Sequence, residues 1–243
     1  MIILTIDSAT DTVCVSIYKD GDILCEMFLL RPRAQLKYLA GAIADTIKMS
    51  GIDKTEIDLI AVTNGPGSFT GLRLSLTAAK TIAQVLELKM AEVNTLDAIA
   101  FLLSPFSKFT VSALDARRNE IFACIYENTE NGQVKISNYN AYSKEEFVNC
   151  LSELPSGEFI ITGNALERYG EFIKSSVPCA KFASKNFWYP KGIAIAKIAE
   201  AICNENRVKN YADVSAFYMR KSEAEETREK KIAENKLSEI GNG

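Results

Sequence analysis

The chain has 243 residues, 28 Lys and Arg against 31 Asp and Glu, a net charge of −3, six cysteines and no histidine. A chain of this length buries about 70–75% of its unfolded surface, enough for one large or two small domains without disulfide support. The lack of histidine excludes Ser-His-Asp hydrolysis and histidine-ligated zinc chemistry, and the mixed, slightly acidic charge gives no footprint for a nucleic-acid backbone.

Cys14, Cys25, Cys124, Cys150, Cys179 and Cys203 are far apart and show no CxxC spacing, so they read as reduced thiols. Asp7 interrupts the N-terminal apolar run too early for a secretory signal, and no apolar stretch reaches membrane-spanning length. The expectation is a soluble, cytoplasmic protein with no membrane contact and no metal.

In chain order, Ile2 to Asp7, Val13 to Tyr18 and Ile23 to Leu30 read as strands, the last two joined by the tight turn Lys19-Asp20-Gly21-Asp22. Gln35 to Met49 has helical spacing, with Gly51 as a stop signal. Ile57 to Thr63 reads as a buried strand, followed by a helix from about Leu72 to Leu86. After Ser104-Pro105 a second cycle begins. Phe109 to Leu114, Ile121 to Tyr126 and Val134 to Tyr139 read as strands, Ser143-Lys144-Glu145-Glu146 as a capping box, Phe159 to Thr162 as a strand and Ile193 to Cys203 as a helix. The repeated order predicts an α/β protein with two similar lobes, 1–105 and 106–220, each a mixed sheet flanked by helices, and a charged tail, 221–243.

The junction Gly65-Pro66-Gly67-Ser68-Phe69-Thr70-Gly71-Leu72-Arg73 joins a strand to a helix. Its glycines permit a tight turn, and free amides at a helix start favour an anion. It has neither the Gly-Lys-Ser/Thr ending of a P-loop nor the GxGxxG order of a dinucleotide site, so an anion site and a purely structural turn both remain open. The helix after it is apolar on nearly all sides, with Leu72, Leu74, Leu76, Ala79 and Ala83 against a thin polar share that includes Arg73, and the preceding helix carries Tyr38, Ala42 and Met49 outside its main stripe. This excess predicts a second covered face, either a helical interface with a partner or a cover from the loop or helix after Asn94.

Three segments, Ile6-Asp7-Ser8-Ala9-Thr10, the glycine junction and Asp115-Ala116-Arg117-Arg118-Asn119-Glu120-Ile121-Phe122, resemble the bacterial TsaB (YeaZ) family, as does Val214-Ser215-Ala216-Phe217-Tyr218-Met219-Arg220 with its following Lys221-Ser222-Glu223-Ala224-Glu225. The resemblance spans nearly the whole chain. It implies an actin/hexokinase-type fold of two ribonuclease-H-like lobes around a cleft. It also implies a non-catalytic subunit in the synthesis of tRNA N6-threonylcarbamoyladenosine, with a TsaD-like transferase paralogue as partner, a TsaE-like ATPase joining them and a TsaC-like enzyme supplying the adenylate. A homodimer when alone, tRNA contact mainly through the complex, and no tightly bound cofactor beyond ATP or ADP within that complex follow from the same resemblance. The family often has a histidine near Arg33-Ala34-Gln35-Leu36; this chain has none.

On this resemblance Asp7, Ser8 and Thr10, with Gly65, Gly67, Ser68, Thr70, Gly71 and Arg73, are candidates for a nucleotide or anion site, Asp7 facing the cleft as a metal-placing acid or serving only as a turn former. Tyr38, Ala42, Met49, Leu72, Leu76, Ala79 and Ala83 are the candidate partner face. Arg117 and Arg118 replace the glycines with which kinases of this fold wrap phosphate. A small-molecule kinase is therefore the weaker alternative, and a peptidase lacks the histidines its metal site would need.

Overall fold

The computed structural model describes residues 1–31 and 34–220, so the tail at 221–243 and Arg33 lie outside the described residues. Strand β1 (Ile2–Asp7) anchors the first sheet because it is apolar on both faces: Ile2, Leu4 and Ile6 enter one core and Ile3 the other. It pairs antiparallel with β2 (Thr12–Lys19), which pairs antiparallel with β3 (Asp22–Leu30). Helix α1 (Ala34–Ser50) crosses to β4 (Leu59–Gly65), and α2 (Phe69–Val85) crosses to β5 (Lys89–Asn94), both strands joining in parallel to give the order β3-β2-β1-β4-β5.

Helix α3 (Thr95–Phe101) leads to the second half, where β6 (Phe109–Arg117) and β7 (Glu120–Thr129) form a hairpin. Strands β8 (Gly132–Lys135) and β9 (Asn140–Ser143), helix α4 (Lys144–Ser152), β10 (Phe159–Thr162), helix α5 (Ala165–Ser176), β11 (Lys181–Phe182) and helix α6 (Gly192–Asn204) follow. The order β11-β10-β6-β7-β8, with β9 also on β7, repeats the plan of the first sheet. Two ribonuclease-H-like units of this kind make the actin/hexokinase-type fold. No helix among the described residues is long and apolar enough to cross a membrane.

Of the expected strand Val134 to Tyr139 only Val134 and Lys135 lie in a strand, at the end of β8, and β9 begins just past it at Asn140. The ten-residue β7 is paired near its end by β8 and near its start by β9. Between them Ser137 turns in, its Oγ accepting the Ile125 N–H at 2.9 Å, which satisfies the amide that a continuous partner would have bonded. The Ser143 capping box forms as read, with Oγ accepting from Glu146 N–H and the Glu146 carboxylate accepting from Ser143 N–H.

Packing does not follow the division at Pro105. Helices α1 and α2 cover one face of the first sheet, and α4 and α5 one face of the second. The remaining faces are covered by exchange. Ile195, Ala196, Ala199 and Ile202 of α6, late in the chain, pack on Ile3, Tyr18, Ala61 and Val93 of the first sheet. Leu96, Ile99 and Ala100 of α3 pack on Leu114, Phe122 and Tyr126 of the second. Small residues on α6 let it lie close to the strands, and at Gly192 a Cβ would strike the Ser16 side chain. Each sheet therefore borrows a helix from the other half of the sequence, whereas the sequence reading kept all of 106–220 in one lobe.

Candidate functional site

A cleft of about 610 Å³ lies between the lobes. Thr10, Ser68, Thr70 and Arg73 line it from the first lobe, Asp115, Arg117, Arg118 and Asn164 from the second, and the segment Phe217–Arg220 along one side.

The glycine junction forms the first-lobe wall, and its glycines are consumed by close backbone packing. A Cβ on Gly67 would strike the Ala9 carbonyl, and one on Gly71 the Ser8 carbonyl. Gly65 has φ +122°, and the Phe217 carbonyl occupies the space a side chain would need. Ser68 N–H donates to the Ala9 carbonyl at 2.6 Å, and Ser68 Oγ caps α2 by accepting from Gly71 N–H at 3.3 Å. Ser8 is fully buried, its Oγ donating to the Gly71 carbonyl at 2.7 Å. The junction docks α2 against the β1–β2 turn.

Asp7 does not face the cleft. It is fully buried, Oδ1 accepting from Thr63 Oγ1 at 2.5 Å and Ala9 N–H at 3.1 Å, and Oδ2 accepting from Thr12 Oγ1 at 3.3 Å. Burial raises its pKa to about 6 against the opposing pull of these donors. Of the two readings of Asp7, the metal-placing acid at the cleft surface is the one its burial contradicts: strand β4 brings Thr63 alongside β1 and seals the carboxylate inside. Thr10 stays at the cleft wall, its hydroxyl sharing a hydrogen bond with Thr12 Oγ1 at 2.8 Å and its carbonyl accepting from Gln35 Nε2.

The second-lobe wall is the turn between β6 and β7. Arg117, Arg118 and Asn119 have φ of +60°, +51° and +66°. The turn is braced from α5 and its N-cap, where Arg168 Nη2 donates to Asn119 Oδ1 at 2.8 Å and Asn164 Oδ1 accepts from Asp115 N–H at 2.9 Å. Asp115 Oδ1 accepts from Arg117 N–H at 2.8 Å and lies 3.9 Å from Arg168 Nη1.

The sequence reading noted the segment Val214 to Arg220 only as a motif; it is a strap across the cleft. Phe217 N–H donates to the Asn64 carbonyl at 2.7 Å, and Tyr218 stacks on Phe69 with centroids 4.8 Å apart. Arg73 lies over the Phe69 ring at 3.8 Å. On the second lobe, Arg220 donates to Glu120 Oε2 at 2.6 Å and to the Ala116 carbonyl at 3.0 Å.

The candidate partner face needs the larger correction. Ala42, Leu72, Leu76, Ala79 and Ala83 are buried within the first lobe. Leu72-Leu76-Ala79-Ala83 is the 4-3-4 stripe that seats α2 on its own sheet. The outer stripe is Leu74, Ala78 and Ile82, partly buried, ending in Val85 at 74% exposure. On α1, Tyr38 is half-buried, while Leu36 and Met49 are each 71% exposed. The excess apolarity read from the sequence is present, but its outward members are Leu36, Met49, Leu74, Ala78, Ile82 and Val85.

Paired ribonuclease-H-like lobes around a cleft place the chain among proteins of the actin/hexokinase-type fold. The family described as TsaD, tRNA N6-adenosine threonylcarbamoyltransferase, matches residues 31–237. The tRNA threonylcarbamoyladenosine biosynthesis protein TsaB of Escherichia coli (strain K12) is 32% identical over 178 residues, which cover 72% of this chain and 77% of that protein. TsaB of Bacillus subtilis (strain 168) is 25% identical over 127 residues, 52% of this chain and 56% of that protein. The solved structure of YeaZ from Pseudomonas aeruginosa has the same fold, with a TM-score of 0.75 at 18% identity over 90% of this chain and 99% of that one. The chain belongs to the TsaB (YeaZ) family, within the wider family that also holds the TsaD transferase.

Proposed function

We propose that this chain is a non-catalytic subunit supporting tRNA N6-threonylcarbamoyladenosine formation, and that it pairs through the outer faces of α1 and α2 with a TsaD-like transferase. A TsaE-like ATPase joins the pair, a TsaC-like enzyme supplies the adenylate, ATP or ADP enters only in the complex, and the same face supports a homodimer when the chain is alone. The observation that carries the scaffold reading is Asp7: the acid that would place a metal-bound phosphate in a kinase of this fold is fully buried and held by Thr63, Ala9 and Thr12. The biosynthetic role is supported by the E. coli relative's description. The pairing face is supported by Leu36, Met49 and Val85, large apolar side chains more than two-thirds exposed on adjacent helices.

Sedimentation velocity of this chain, alone and mixed with the TsaD-like paralogue of the same organism, with and without ATP, tests the reading. A heterodimer that displaces the homodimer is expected. No association under any condition overturns it, and substrate-dependent ATP turnover by the isolated chain would favour the kinase alternative.

A further inference from the structure

We propose that the strap Phe217–Arg220 is a latch that holds the two lobes at one angle, with Arg220 as its catch on the second lobe. The inference is independent of the tRNA role and of the pairing face.

The first reason is that the two ends of the strap are fastened to different lobes over a short reach. On the first lobe, Val214 is buried in the core, Ser215 N–H donates to Glu92 Oε1 at 2.6 Å and Phe217 N–H to the Asn64 carbonyl at 2.7 Å. The Phe217 carbonyl fills the space that a Cβ on Gly65 would need, so this anchor sits tight on the backbone. On the second lobe, Arg220 Nη1 donates to Glu120 Oε2 at 2.6 Å and Nη2 to the Ala116 carbonyl at 3.0 Å. The backbone from Phe217 to Arg220 can span at most about 11 Å. The cleft cannot widen far along this side unless one anchor lets go.

The second reason is that the side chains between the anchors alternate between the lobes, as they do along an extended segment. The Phe217 ring meets Tyr139 of the second lobe edge-on, with centroids 5.5 Å apart. Tyr218 turns the other way and stacks on Phe69 of α2 at 4.8 Å. Met219 packs on the cluster that α3 forms with the second sheet. The strap therefore fills a seam, and each lobe loses packing if the seam opens.

The third reason is topological. The chain passes between the sheets twice before the strap, once from β5 through α3 to β6 and once from β11 to α6. Two passages leave a rotation about the line that joins them, which is the usual form of a hinge. No residue of either passage lines the cleft, whereas the strap does. A third tether placed at the cleft, away from that line, removes the rotation.

The catch is the anchor that gives first. The Arg220 and Glu120 side chains are 29% and 40% exposed, while Val214 is 1% exposed. Water competes for a partly exposed ion pair, so the strap should release from the second lobe and stay on the first.

The test is single-molecule energy transfer on the full chain at picomolar concentration, where mass action keeps a self-associating chain monomeric. Dyes are attached through non-natural residues at Thr77 of α2 and Glu171 of α5, both exposed. The start of α2 and the N-cap of α5 line opposite walls of the cleft, so opening moves the dyes apart. Wild type should give one narrow distance population. Arg220→Ala should add a second population at longer distance, with Tm lowered by no more than about 4 °C. Glu120→Ala frees the catch from the other side and should also open the cleft, which keeps the test valid should the first variant melt lower. Arg220→Lys keeps the charge but cannot fork to both acceptors, and should give a smaller open fraction than Arg220→Ala. The wild-type distance in both alanine variants overturns the latch, as does a wild type already spread over two populations that the variants leave unchanged. No partner is present, so either failure leaves the scaffold reading to its own test.

Discussion

Tyr18 of β2 donates its hydroxyl hydrogen to Glu200 of α6 at 2.9 Å, across 182 positions of sequence. The bond fastens α6 to the second strand, on a sheet built otherwise from the first half of the chain. Helix α3 makes the reciprocal crossing. Neither sheet has both faces covered by its own half, so the lobes should unfold together. Ile195 of α6, fully buried against the first sheet, is the sharpest probe. Ile195→Ala should cost about 2–5 kcal/mol. Calorimetry should show one transition that shifts as a whole; two transitions, with only the second lobe destabilised, would contradict the exchange.

Asp7 predicts an inverted pH response. Its folded pKa, about 6, is above the unfolded value of 3.8. The native state therefore holds a proton more tightly than the unfolded chain, and the stability from this group is present below pH 3.8 and lost as pH rises through 6. The shift corresponds to about 3 kcal/mol at neutral pH. Asn can still accept from Thr63 and Ala9 through Oδ1, and Thr12 can turn to accept from Nδ2. Asp7→Asn should accordingly match or exceed wild-type stability at pH 7.5, with the gain shrinking toward pH 4. Urea unfolding of both proteins across that range measures it. A variant less stable at pH 7.5 than at pH 4.5, relative to wild type, would refute the sign.

The two stripes of α2 separate folding from assembly. Ala79 and Ala83 are fully buried, so arginine at either position forces a charge and a long side chain into the core and should unfold the lobe. Val85 and Leu36 are 74% and 71% exposed, so Val85→Glu and Leu36→Glu should change stability by no more than about 0.5 kcal/mol. The same two substitutions should weaken pairing at least tenfold. Thermal melts and sedimentation on one set of samples distinguish the stripes.

How much of this was legible follows from what local chemistry encodes. Ile2–Asp7 and Phe159–Thr162 are bounded as read, because an apolar run stopped by an acid or a glycine marks a strand without outside help. Strand β5 was missed because Lys89 and Glu92 interrupt its pattern. Glu92 accepts the Ser215 N–H and pairs with Lys209, so its polarity serves a segment more than a hundred residues away. Helix α5 follows Asn164 at its N-cap without a side-chain cap bond, since that side chain is turned to Asp115. An apolar stripe also has no address: α6 reads as a helix, but nothing local says whose sheet it covers. The same limit hid the sealing of Asp7, which depends on Thr63 arriving from another strand.

Asp97 gives the last prediction, because it joins α3 to the sheet it was exchanged onto. Its carboxylate accepts from Tyr126 Oη at 2.6 Å and from Tyr139 Oη at 2.8 Å. Burial raises its pKa, and the two phenols pull the other way. Asp97→Ala would leave the buried Tyr126 hydroxyl without its acceptor, at about 1–3 kcal/mol, and remove the Tyr139 bond as well. Asp97→Asn keeps an amide oxygen for one phenol and should cost less. Since α3 touches both sheets, the alanine variant should also speed hydrogen exchange in β7 more than in β1. Equal acceleration in both strands would mean that Asp97 supports global stability and is not a joint between the lobes.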